Sequence, residues 1–251
     1  MSCSISHRHL WSPERLSSAD LHALLGTADE VKRAKQRDPG WAPLRGRNLA
    51  LLTDRSGGAT PLFERAVSAL GGTVTLLDTR AWQSSAGTRV ADAARMLGRL
   101  YDAVDCCGLP ASLLEQIDAH CSVPVLNGVA QSEHPLGTIG VLLTMREAAA
   151  KPLEQLRLQV GGDPLAARPR AAAALARLAG IHVQPRVPVA PGVVEAAGEE
   201  PDFIFDPLAA PGSPDRLTMP DASADAQARL AALLQSNSLC ALQALMVCTL
   251  H

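Results

Sequence analysis

The chain has 251 residues, enough for one large domain or two small ones with real cores. A formal charge of −2, an isoelectric point near 6.4 and an aromatic content of 3% exclude a general affinity for nucleic acid or acidic membranes and leave no stacking surface for bases. Its apolar content, 47%, is mainly Ala, Leu and Val, which suits an ordinary globular protein.

The first predicted element is a helix from Ser17 to Lys35. Leu21, Leu24, Leu25, Ala28 and Val31 recur at helical spacing, and Ser17 with Asp20 forms an N-terminal capping signal. An alternation follows. Asn48 to Thr53 reads as a buried strand, Pro61 to Leu70 as a helix ended by Gly71-Gly72, and Thr73 to Leu77 as a strand. Arg89 to Leu100 is a helix, Asp102 to Cys107 a strand, Ala111 to His120 a helix and Val123 to Leu126 a strand. A long helix covers Leu136 to Ala149. Strands alternating with helices predict a parallel sheet covered on both faces.

The second half repeats the pattern more thinly. Strands are expected at Leu156 to Val160, Ile181 to Gln184 and Phe203 to Phe205, with an Ala-rich helix at Ala166 to Leu178. Pro185 to Glu200 reads as irregular and Pro207 to Ser223 as loop. Ala224 to Leu250 reads as helix, broken near Asn237. The expected fold is α/β, with two doubly wound parallel-sheet lobes and a reduced second lobe. Residues 1–135 form the first lobe; residues 136–251 form the second, plus a C-terminal helix that returns to the first.

The six cysteines (Cys3, Cys106, Cys107, Cys121, Cys240, Cys248) include no Cys-x-x-Cys pair and no zinc spacing. No metal site is expected. Met1 to Trp11 lacks the apolar core of a secretory signal, and no apolar run looks long enough to span a bilayer. These features predict a cytoplasmic setting, no membrane partner, and free thiols in small-hydrophobe roles. Cys106-Cys107 reads as a buried pair rather than a reactive one. Gly161-Gly162-Asp163 lacks the G-x-G-x-x-G spacing of a dinucleotide site.

Several phrases carry a family resemblance. "PLRGRNLALLTDRSGGATPLFERAVSALGGTVTLLD" (43–78), "RVADAARMLGRLYDAV" (89–104) and "SVPVLNGVAQSEHPLGTIGVLLTMRE" (122–147) resemble the first lobe of the aspartate/ornithine carbamoyltransferases. "LQSNSLCALQALMV" (234–247) looks like their closing helix, and Asn127-Gly128 before His134-Pro135 leans to the ornithine branch.

The resemblance implies a carbamoyl phosphate site at a helix N-terminus, where backbone N–H groups and the helix dipole favour an anion. The family's Ser-Thr-Arg-Thr-Arg loop corresponds to Ser56, Gly57, Gly58, Ala59 and Thr60. Ser56 is kept and both arginines are lost. A further arginine corresponds to Cys107, the His-Pro-x-Gln motif reads His134-Pro135-Leu136-Gly137, and the Arg-Gly-Glu-Ser loop becomes Ala86-Gly87-Thr88-Arg89. In the second lobe, Leu217-Thr218-Met219-Pro220 replaces the His-Cys-Leu-Pro loop, and Asn237-Ser238 replaces an Asn-Arg pair. At about 1.5–3 kcal/mol per charge-assisted bond, losing the three arginines at 58, 60 and 107 removes roughly 4–9 kcal/mol of dianion binding.

The candidate substrate-binding residues are therefore Ser56, Gly57, Gly58, Ala59, Thr60, Asn127 and His134. His134 is the one candidate for a catalytic role; each also has a plainer reading as a turn, cap or core residue. No cofactor is expected. The resemblance implies a protein of amino-acid metabolism, impaired or inactive with carbamoyl phosphate, that binds an amino acid or anion. It further implies a homo-oligomer, a trimer, or association with an active relative. The alternatives are an active transferase of altered substrate using Arg55, Ser56, Arg89 and His134, a non-catalytic assembly subunit, and a scaffold keeping only the fold.

Overall fold

A computed structural model of the chain describes residues 16–54, 59–83, 88–131, 134–149, 151–185, 200–207 and 215–250. The alternating burial of the first strand shows how the first lobe is built. In β1 (Asn48–Thr53), Leu49 and Leu51 enter one apolar cluster while Ala50 and Leu52 enter another, because successive strand side chains face opposite sides. A strand buried on both faces needs helices on both. On one side lie α1 (Ser18–Arg37) and α2 (Ala59–Ser68); on the other lie α4 (Thr88–Leu100) and α5 (Ala111–His120). The sheet is completed by β2 (Thr73–Asp78), β3 (Ala103–Cys106) and β4 (Val125–Leu126), in the order β2-β1-β3-β4 and parallel throughout. A short helix not expected from the sequence, α3 (Arg80–Gln83), follows β2; the Asp78 side chain accepts the Arg80 N–H at its start.

α6 (Leu136–Ala149) leads to a single 3₁₀ turn at Leu153–Gln155 and then to the second sheet. That sheet has the order β6-β5-β7-β8, from β5 (Arg157–Val160), β6 (His182–Pro185), β7 (Phe203–Asp206) and β8 (Arg216–Thr218), with α7 (Ala167–Leu178) between β5 and β6. β5, β6 and β7 are parallel and β8 is antiparallel to β7. Among the described residues the second lobe thus has four strands, not three. Arg216–Thr218 has too short an alternation to stand out from a loop, and pairing with β7 makes it a strand.

The last helix, α8 (Ala224–Leu250), is unbroken at Asn237, contrary to expectation. Asn237 is fully buried, its amide donates to Thr144 Oγ1 (3.1 Å), and its carbonyl accepts from Lys32. Tertiary partners therefore satisfy a side chain that would otherwise compete with the helix backbone. α8 is also long and apolar enough to cross a membrane, which corrects the reading that no run was. Its apolar length is mostly buried against α6, α1 and α2. A second correction concerns the thiols: Cys106, Cys107, Cys121 and Cys240 are free, whereas Cys248 is disulfide-bonded. Cys106 and Cys107 are both buried, in clusters on opposite faces of the first sheet.

The capping signal of α1 is realised in full. Ser17 Oγ accepts the Asp20 N–H (3.1 Å), and the Asp20 carboxylate accepts the Ser17 N–H (3.0 Å) and hydroxyl (2.6 Å). Replacing Ser17 by Ala is expected to lower the unfolding free energy by about 1 kcal/mol, read by chemical denaturation.

Candidate functional site

In an open parallel sheet, ligands bind outside the carboxyl ends of the strands where the chain order reverses. In the first lobe that point lies between β1 and β3; in the second it lies between β5 and β7. At the first point β1 ends on Thr53, followed by Asp54, and β3 ends on Asp105 and Cys106, followed by Cys107. Asp105 is buried and is pushed up to about 7 by burial, against backbone bonds from Val129 (3.2 Å), Gly128 and Cys106. These bonds tie the end of β3 to the turn after β4. Burial also pushes the Cys107 thiol well up, reinforced by the nearby Asp105 and Asp54 carboxylates, so it stays neutral.

The turn itself is set by Gly128, whose φ of +61° favours glycine. Its carbonyl accepts the Gln131 N–H (2.9 Å), and Gln131 passes the chain to His134 (3.0 Å). His134 is buried, and its Nδ1 accepts the Leu136 N–H (3.1 Å) at the start of α6. In the neutral ring the proton therefore sits on Nε2.

At the second point Gly161 donates to Phe205 carbonyl oxygen (2.8 Å), and Asp206 lies against it so closely that a Cβ there would be 1.9 Å from its Oδ1. Between the lobes lies a cleft whose free volume, about 10 Å³, holds no more than a single water. His134 and Thr138 of the α6 start line one wall, Arg168 of α7 another, and Phe205, Pro207 and Asp215 of the β7 and β8 ends the third. Arg168 and Asp215 form an ion pair there, each side chain more than four-fifths buried.

The expected site residues do not all meet. His134 reaches the cleft; Asn127, in the turn below, is not among its lining residues. Ala59 and Thr60 open α2 at the end of β1, and Thr60 Oγ1 is buried without a hydrogen-bond partner. Ser56, Gly57 and Gly58 lie outside the described residues, as do Arg55 and the stretch 84–87. Asp105, Arg168 and Asp215 were not singled out in the sequence. Only Asp105 gave a signal, as a lone carboxylate inside an apolar strand.

Residues 8–147 match the family model described as aspartate/ornithine carbamoyltransferase, carbamoyl-P binding domain. The chain belongs to the aspartate/ornithine carbamoyltransferase family. Among similar carbamoyltransferases, the catabolic ornithine carbamoyltransferase of Pseudomonas putida is 34% identical over 164 residues, 65% of this chain and 49% of that protein. The ornithine carbamoyltransferase of Cutibacterium acnes is 32% identical over the same length. This chain spans about half the length of these relatives. Its fold is that of the solved carbamoyltransferases. Aspartate transcarbamoylase from Trypanosoma cruzi, crystallised with carbamoyl phosphate, superposes with a TM-score of 0.68 at 17% identity, covering 100% of this chain and 96% of that one. Ornithine carbamoyltransferase from Thermus thermophilus superposes with a TM-score of 0.59 at 27% identity, covering 71% and 61%.

Proposed function

We propose that this chain is a carbamoyltransferase-family protein of arginine- and ornithine-type amino-acid metabolism that keeps the inter-lobe cleft and has lost turnover of carbamoyl phosphate. The observation that carries this reading is the charge at the ends of β1 and β3. Cys107 stands where the family pattern has an arginine. It is buried, neutral, and beside the carboxyl groups of Asp105 and Asp54. A dianion brought there meets no guanidinium, and the exposed Asp54 carboxylate, joined by Asp105 once the pH exceeds about 7, opposes its binding. His134 remains as a substrate-facing donor, and Asn127 shapes the turn that carries it. With turnover lost, the chain acts in the cytoplasm as a ligand-binding or assembly subunit, self-associating as a trimer or joining an active relative.

A second reading, an active transferase of altered substrate, is favoured by Thr60. Its unpartnered buried hydroxyl opens a ten-residue helix, where residual anion binding at Ser56–Thr60 has both a donor and the helix dipole.

The test is to incubate the purified chain with carbamoyl phosphate and L-ornithine or L-aspartate. No citrulline or carbamoyl aspartate is expected above the uncatalysed background, and millimolar carbamoyl phosphate should leave the melting temperature unchanged. A ligand at 100 times its Kd would add about 2.7 kcal/mol of stability. Product formation overturns the first reading; a melting shift without product moves the weight to the second.

A further inference from the structure

Asn127-Gly128 is the one Asn-Gly step in the chain. In an unstructured peptide that step deamidates more readily than others, because glycine leaves its nitrogen open to approach. The chemistry is internal. Gly128 N attacks Asn127 Cγ, the Cγ–Nδ2 bond breaks, and ammonia leaves carrying the displaced Gly128 proton. The resulting succinimide takes up a water molecule and opens to aspartate or isoaspartate. Either product carries a new carboxylate, and isoaspartate also lengthens the backbone in the turn that leads to His134. The attack needs the Gly128 N–H to lose its proton, and it needs the peptide between Asn127 and Gly128 to rotate until the nitrogen meets Cγ.

The surroundings oppose both steps. The Gly128 N–H donates to the buried Asp105 carboxyl group, and the Val129 N–H donates to Asp105 Oδ1 (3.2 Å), so consecutive peptides are pinned to the end of β3. The Gly128 carbonyl accepts the Gln131 N–H (2.9 Å), and the Gln131 side chain closes over Gly128: a Cβ there would lie 2.0 Å from Gln131 Oε1. Gly128 is buried and Asn127 half-buried, so the attacking nitrogen, rather than the amide it would attack, is the group that the fold withholds. We propose that Asn127 is a latent deamidation site guarded by Asp105, which holds the Gly128 N–H so that the nitrogen stays protonated and fixed. Conversion then proceeds only from molecules in which the turn has left β3 by local opening. The proposal gives a purpose to a carboxyl group inside an apolar strand, whose burial otherwise costs stability. It holds with or without turnover of carbamoyl phosphate.

The test follows deamidation of the whole chain by peptide mass mapping, in mildly alkaline buffer where Asp105 is ionised. The unaltered chain should convert Asn127 more slowly than the same chain unfolded in urea by at least about tenfold, the least that one hydrogen bond to a charged acceptor suppresses. Asp105→Ala, shown folded by circular dichroism, should recover most of that difference. Asn237-Ser238 is the internal control: it is locked in α8, with its amide on Thr144, and should stay unconverted in the folded chains. Equal rates at Asn127 in the folded and unfolded chain, or in Asp105→Ala and the unaltered chain, overturn the proposal. Equal acceleration at Asn127 and Asn237 also overturns it, since general unfolding then accounts for the rate. Should Asp105→Ala fail to fold, Asp105→Asn decides. Its neutral amide holds the N–H less firmly than a carboxylate does, so Asn127 must convert faster in it than in the unaltered chain, and equal rates overturn the proposal.

Discussion

The unfolding free energy is expected to fall by about 4 kcal/mol as the pH rises from 4 to above 7, through one carboxyl group. Asp105 titrates near 7 in the folded chain and at the ordinary 3.8 when unfolded. Between those values the unfolded chain releases the proton and the folded chain keeps it, so stability is fully present below pH 4 and lost as the pH rises through 7. The magnitude follows from about 1.4 kcal/mol for each pH unit between the two values. Asp102 and Asp202 do not mask the effect. Burial pushes each up, but the backbone N–H of Asn48 with Arg47, and that of Arg157 with Lys151, outweigh it and leave both below the usual carboxylate range. Their contributions are lost as the pH falls below the ordinary carboxylate value, outside this window and with the opposite sign. Asp105→Asn keeps an acceptor for the Val129 N–H and carries no charge, so its stability should be flat from pH 5 to 8. Urea denaturation of both chains across that range checks this; parallel slopes would show that Asp105 is already ionised in the folded state.

The same carboxyl group explains what the sequence revealed of the site and what it hid. Elements with strong periodicity were legible: α1 with its capping box, the apolar strand β1, and α6 before the second sheet. Each is decided within a few residues by spacing and caps. β8 was not legible, because three residues carry too little alternation and only pairing with β7 defines them. The break expected at Asn237 failed for a related reason. Its partners, Thr144 and Lys32, lie far away in sequence, and no local rule foresees them. In the site, His134 could be placed from its motif because the fold brings that motif to the cleft. Arg168 sits in an Ala-rich helix and Asp215 near a loop, and their pairing joins two segments that look ordinary alone. Disulfide bonding of Cys248 is likewise not legible in the sequence, since composition and compartment argue only about cysteines in general.

Of two glycine-to-alanine changes, one is expected to stabilise and the other not to, and their contrast measures how the lobes are joined. Gly26, on the exposed side of α1, has nothing within 4 Å of an added Cβ. Gly26→Ala should therefore gain up to about 1 kcal/mol from helix propensity alone. Gly140, in the middle of α6, would place its Cβ 2.9 Å from Ser238 Cα and 3.0 Å from Ser238 N, both backbone atoms of α8. Backbone cannot rotate away as a side-chain tip can, so the two helices must separate. Overpacking costs about 1–3 kcal/mol, which offsets or exceeds the propensity gain, and Gly140→Leu should lose about 3 kcal/mol. Separation would also pull Asn237 from Thr144 and disturb the Lys32 bonds to Asn237 and Glu147, all within the same seam. The residues that β5 and β7 bury belong to the same apolar cluster as α6 and α8, so the loss should appear as destabilisation of both lobes together. Thermal unfolding of the three variants reads the difference. If Gly140→Ala stabilised as much as Gly26→Ala, the close crossing of α6 and α8 would not be what holds the lobes, and their junction would rest on apolar burial alone.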